Sequence, residues 1–178
     1  MVPICADVVH QIHFNLLVPR VSMENQYYKG LPKKRMGVGA LFFNDKNEIL
    51  IVKPSYKDHW SVPGGVVDEN ESPRQACIRE VKEELGLEID NVEFLCVDYV
   101  SVIPEKSENL QFIFFGGKLT PERINSIKLS PDEIAEYKFT SVDEALPLLS
   151  EKLSKRISLC LTILKNNKGL YLEDSKKV

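Results

Sequence analysis

One helix in this chain has both ends written into the sequence and a charged face that an isolated helix would avoid. Ser72-Pro73 marks its start: serine caps free N–H groups, and proline fits the first helical position, where no N–H is needed. Gly86 marks its stop, because glycine takes the left-handed conformation that ends helices. Between them Cys77, Ile78, Val81 and Leu85 recur at 3.6-residue spacing and give the helix a face to bury. Glu80, Glu83 and Glu84 stand at i, i+3 and i+4, so they project together from the adjacent arc. Lys82 lies roughly opposite and cannot neutralise them, and the small Ala76 leaves room one turn earlier.

That arc costs helix stability. A like-charged i, i+4 pair is unfavourable by roughly 0.2–0.5 kcal/mol. Acids in the last turn also oppose the helix dipole, by roughly 0.3–1 kcal/mol each. A run of glutamates alone is ordinarily a solvated helix face. Here the Pro63-Gly64-Gly65 turn just upstream and Arg79 beside the acids point instead to a bound cation. Hard divalent ions with oxygen ligands, Mg²⁺ or Mn²⁺, suit three carboxylates.

The spacing around this helix is specific. Gly65, Glu71, Arg79, Glu80, Val81, Glu83, Glu84, Gly86 and Leu87 hold fixed intervals over 23 residues, and the pattern resembles the signature of the Nudix hydrolases with no position missing. The resemblance covers about residues 35–150. It implies that Glu80, Glu83 and Glu84 ligate divalent metal, with the Gly65 carbonyl as a further ligand. It also implies structural roles for Arg79, which would hold the acids in place, and Glu71, which would pair with it. The implied fold is an α/β/α sandwich with a mixed sheet. The implied reaction is attack of water on a diphosphate that links a nucleoside to another group.

The remaining chain is consistent with one such domain. Its 178 residues suffice for a single core, and 43% apolar with 28% charged residues is ordinary for a globular protein. A net charge of -3 advertises no surface for duplex DNA, and nothing reads as a membrane span. Cys5, Cys77, Cys96 and Cys160 lie far apart without a CxxC pair, which fits reduced buried thiols in a cytoplasmic protein. His10, His13 and His59 show no ligand spacing. Residues 1–22 read as an extension ahead of Met23, or else a short packed strand, and 23–34 as a polar lead-in. The domain is expected over 35–165, with a polar tail at 166–178. The sequence leaves a homodimer open.

Within the domain, strands are expected at 38–43 and 49–53, joined as a hairpin by Asn44-Asp45-Lys46-Asn47, then at 59–62, 92–102, 110–119 and 134–139. Helices follow at 141–149, with a Ser141–Glu144 capping box, and at 151–164.

A general base is sought outside the helix. Glu133 is the first candidate, because relatives commonly place an acid just before this strand; Glu136 is second, and Glu105 and Glu108 are third. Tyr56, Trp60 and Tyr99 are candidate platforms for a base, as are Phe112 and Phe114, although strand aromatics more often belong to the core. The expected substrate is a small nucleotide: a nucleoside triphosphate, an ADP-sugar or a dinucleotide. The alternatives are an inactive nucleotide-binding or sensor module, a prenyl diphosphate isomerase, whose family departs from this pattern, and capped RNA as substrate, disfavoured by the acidic composition.

Overall fold

The computed structural model describes residues 27–164 and 168–178, so the expectation for 1–22 lies outside the described residues. Residues 27–33 belong to a separate unit, in which the Tyr27 and Tyr28 rings meet edge-on at 5.4 Å.

From Lys34 onward the chain builds on a seven-stranded mixed sheet. The strands are β1 (Arg35–Phe43), β2 (Ile49–Pro54), β3 (Glu93–Val100), β4 (Asn109–Lys118), β5 (Ile134–Thr140), β6 (Leu170–Glu173) and β7 (Lys176–Lys177). Their order is β5-β2-β1-β4-β3-β6-β7, with β1–β4 and β3–β6 parallel and the other pairs antiparallel. The helices are α1 (Pro73–Leu85), α2 (Pro121–Asn125), α3 (Val142–Ala145) and α4 (Glu151–Ile163).

Strand side chains alternate between faces, and both faces are covered. Val38, Ala40, Phe42, Leu50 and Val52 pack with Cys77, Val81 and Leu85 of α1. Leu41, Phe43, Ile49 and Ile51 face the other way, onto Ile157 and Cys160 of α4. This two-sided burial explains why β1 and β2 read as unbroken apolar runs. The α/β/α sandwich follows.

The hairpin turn forms where Asn44 Oδ1 accepts the N–H groups of Lys46 (3.0 Å) and Glu48 (2.9 Å), with Asn47 at φ 60°. Beyond Phe43↔Ile49, however, β1 and β2 diverge. The segment after β2 doubles back into the opening. Ser61 pairs with Val52, Ala40 N–H donates to Pro63 O (2.8 Å), and Val38 N–H donates to Gly65 O (2.9 Å). The strand expected at 59–62 is therefore a wedge making isolated bridges at Trp60 and Ser61. The wedge carries the Gly64-Gly65 turn into the sheet.

Two further readings are corrected. The polar tail at 166–178 contains the β6–β7 hairpin, and β6 extends the sheet by pairing with β3. Its sequence hides this: among the described tail residues Leu172 is the one buried apolar side chain, and the turn uses Asp174 and Ser175 at φ 47° and 60° rather than a glycine. The helix expected at 141–149 stops at Ala145 and continues as a 3₁₀ turn, Leu146–Leu148, with Pro147 inside it. Half of its capping box forms, since Ser141 Oγ accepts Glu144 N–H (3.3 Å) while the Glu144 carboxylate takes the Thr140 hydroxyl (2.5 Å). Although Cys96 and Cys160 are distant in sequence, the fold brings their sulfurs to 3.2 Å within the α4 core.

Candidate active site

The helix α1 is fixed at both ends. Ser72 Oγ caps Gln75 N–H, the Gln75 side chain returns to Ser72 N–H (3.2 Å), and Gly86 closes the helix at φ 66°. Its acidic arc then meets the wedge. Gly64 has φ 144°, a conformation that side chains resist, and a Cβ there would run into the Val38 carbonyl. Gly65 lies so close to Glu80 that a Cβ would collide with its carboxylate. Two glycines thus let the turn lie directly over α1.

Glu84 is the most deeply placed acid, 6% exposed, and its Oε2 accepts Gly64 N–H at 2.8 Å. Burial pushes its carboxyl up to about 8, reinforced by Glu80 and Glu133, against a smaller lowering from the Gly64 N–H. Glu80 is likewise raised by burial, with Glu83 and Glu133 adding to the effect and Arg79 opposing it. Glu83 is the outermost of the three.

Arg79 organises the surroundings. Its Nε and Nη2 grip the two oxygens of Glu71 (3.0 and 2.9 Å), and Nη2 also donates to Val66 O (3.0 Å). Its Nη1 donates to both Glu80 (2.9 Å) and Glu83 (2.7 Å). The hydrogen bonds from Arg79 hold the Glu71 carboxyl below its usual range. Lys82 is turned away, paired with Glu88 at 2.7 Å.

Of the candidate bases, Glu133 acts electrostatically on both Glu80 and Glu84. Its backbone carbonyl anchors Ser55 N–H at 2.8 Å, which ties the β5 entry to the end of β2. Glu136 is exposed on β5, opposite Lys53. Glu108 is engaged with Lys34 and the Tyr99 hydroxyl, and Glu105 is exposed in the same loop.

A cleft opens beside the acids. One cavity of about 300 Å³ is bounded by Tyr56, Lys57, Gly65 and Gln111, and a neighbouring one of about 330 Å³ by Lys57, Trp60, Ser61 and Gln111. Tyr56 and Trp60 therefore reach the cleft. Tyr99 lines neither cavity, and Phe112 and Phe114 stack at 6.5 Å within the α1-side core. Lys57, Gln111 and Arg156 belong to the loop after β2, to β4 and to α4, and share no sequence motif with the acids.

A family model for the NUDIX domain matches residues 33–159, and the chain belongs to the Nudix family. An RNA pyrophosphohydrolase of Hydrogenovibrio crunogenus is 44% identical over 61 residues, 34% of this chain and 37% of that protein. The mRNA-decapping enzyme subunit 2 of Saccharomyces cerevisiae is 37% identical over 76 residues, 40% of this chain but 7% of that protein. The matched region thus spans little more than a third of these relatives at most. Among solved structures, a UDP-X diphosphatase superposes with TM-score 0.68 at 25% identity, covering 85% of this chain and 73% of the other. A MutT protein from Methanosarcina mazei Go1 gives TM-score 0.60 at 25% identity, covering 78% and 99%. No helix among the described residues is long and apolar enough to cross a membrane.

Proposed function

We propose that the protein is a divalent-metal-dependent pyrophosphohydrolase that cleaves the diphosphate linkage of a nucleoside diphosphate derivative. The observation that carries this reading is the gathering of Glu80 and Glu84 under the Gly64-Gly65 turn.

The donor set fits a hard cation. Among the described residues Glu84 is buried without a cationic hydrogen-bond partner, and Glu80 is half-buried beside further acids, an arrangement that Mg²⁺ or Mn²⁺ would relieve. The Gly65 carbonyl already accepts Val38 N–H but keeps a second lone pair. Among the described residues no three acidic, histidine or cysteine side chains form a ready-made metal cluster. Arg79 instead holds Glu80 and Glu83, so loading a cation requires those carboxylates to turn from the guanidinium.

When bound, the ion would neutralise phosphate oxygens and make a bound water more acidic. Glu133 is the residue we assign to accept the proton of that water. Glu71 and Arg79 position the acids, and Tyr56, Trp60 and Lys57 lie where a nucleotide would enter. The names of the similar proteins, RNA pyrophosphohydrolase and UDP-X diphosphatase, agree with chemistry on a phosphoanhydride.

The test is a hydrolysis screen of the purified full chain with Mg²⁺ or Mn²⁺ over nucleoside triphosphates, ADP-sugars, dinucleoside polyphosphates and capped RNA. Cleavage of a phosphoanhydride in at least one class supports the reading. Binding without turnover in all of them would favour a nucleotide-binding module.

A further inference from the structure

The cleft has a charge pattern that the acid cluster does not explain. Three cavities succeed one another along β4 and share Gln111: one beside Gly65 (about 300 Å³), a central one (about 330 Å³), and one under the β3–β4 loop (about 220 Å³). Arg35 and Lys57 line the first, Lys57 and Lys106 the second, and Lys106 and Lys152 the third, with Arg156 shared by the last two. Among the described residues no aspartate or glutamate lines any of them. In a chain of net charge -3, that is a local inversion of sign.

Two of these cations, Arg156 and Lys152, already have a carboxylate partner. Asp98 is fully buried and holds Arg156 (2.6 Å) and Ser175 (3.1 Å), Asp174 holds Ser101 (2.7 Å) and pairs with Lys152 (3.9 Å), and Glu108 holds Lys34 and Tyr99. Among the described residues, Arg35, Lys57 and Lys106 form no ion pair. These three cations repel one another, and an anionic ligand offsets that repulsion. Gln111, midway, adds an amide that can donate or accept.

We infer that this groove binds a phosphate of the substrate beyond the diphosphate that is cleaved. The inference rests on the functional reading above and narrows it: the group leading away from the acids is itself phosphorylated. The shared chemistry is a phosphate ester held by Lys106, with Lys57 on the same cavity. Its source is either the phosphodiester of a short oligonucleotide or a phosphomonoester on a single nucleoside. Net charge alone concealed this, because an acidic total is compatible with a basic track.

The test uses ligands with no phosphoanhydride to cleave, so it does not depend on turnover. Adenosine 5′-monophosphate, adenosine 3′,5′-bisphosphate and 5′-phosphorylated ApA are titrated into the full chain with Mg²⁺ by calorimetry. At least one ligand with a second phosphate is expected to bind roughly tenfold tighter than the monophosphate, with a steeper salt dependence. A gain for the dinucleotide alone assigns the groove to a phosphodiester; a gain for the bisphosphate as well assigns it to a phosphomonoester. Lys106→Ala, at an exposed loop position, should remove most of that preference, and Lys106→Arg should retain it. Equal affinity for all three ligands would overturn the inference, as would a Lys106→Ala loss that is the same for all three. Failure of the hydrolysis screen would instead count against the functional reading alone.

Discussion

Gly64 N–H donates to Glu84 Oε2 at 2.8 Å, joining the wedge between β1 and β2 to the last turn of α1. This bond ties the glycine turn to the acids and, with a smaller contribution from Lys57, favours an ionised Glu84 against the opposing effect of burial and of Glu80 and Glu133.

Burial raises the folded-state carboxyl of Glu84 to about 8, from a reference value of 4.5. Folding therefore favours its protonated form. That contribution is complete below about 4.5 and is lost as pH rises through about 8. In chelator, the wild-type chain should lose stability relative to Glu84→Gln across this interval. Denaturant unfolding of both proteins at several pH values checks this, and a constant difference would refute it. Saturating Mg²⁺ should reduce or reverse the trend, because it binds the ionised form.

Arg79→Lys should impair turnover more than folding. Lysine keeps the charge but cannot grip Glu71 with two nitrogens while also reaching Glu80 and Glu83. We expect kcat to fall roughly 10- to 100-fold through misplacement of the acids. A parallel Glu71→Gln variant should lose activity in the same direction. Steady-state kinetics with saturating metal decide the point, and unaltered kcat in both variants would remove the positioning role.

Glu133→Gln separates the candidate bases. If Glu133 takes the proton from water, kcat should fall by roughly 10²–10⁴ with a smaller change in KM. Glu136→Gln removes a charge three residues further along the same edge and should change kcat little. Near-normal kcat in the Glu133 variant would move the base to Glu136, the Glu105–Glu108 loop or a helix acid.

The C-terminal hairpin should prove part of the folded domain. Leu172 is fully buried in the α4-side core, so Leu172→Ala should cost roughly 2–5 kcal/mol. Chemical denaturation reads this directly, and a loss below about 1 kcal/mol would mean that the hairpin docks only loosely.

The parts of this fold that were legible in the sequence are those set by local rules. Ser72, Pro73 and Gly86 gave the limits of α1, and the Asn44–Asn47 turn gave the first hairpin. The wedge was illegible, because its pairing depends on β1 and β2 diverging, which no periodicity records. The β6–β7 hairpin was missed for a related reason: Ser175 is anchored on Asp98, 77 residues earlier. The acids of α1 were visible because they share one helix. The basic groove was not, since Arg35, Lys57, Lys106 and Arg156 come from four separate segments and meet only in the folded sheet.

The central claim is that the acids under the Gly64-Gly65 turn hold a catalytic cation. It is tested most directly by measuring phosphoanhydride hydrolysis against Mg²⁺ or Mn²⁺ concentration for the wild-type chain and Glu84→Gln. Wild-type activity should be absent in chelator and should rise to saturation with added ion. Glu84→Gln should remain folded yet lose most turnover at every ion concentration. Hydrolysis that survives exhaustive chelation, or a Glu84→Gln variant with wild-type turnover and ion dependence, would contradict the account.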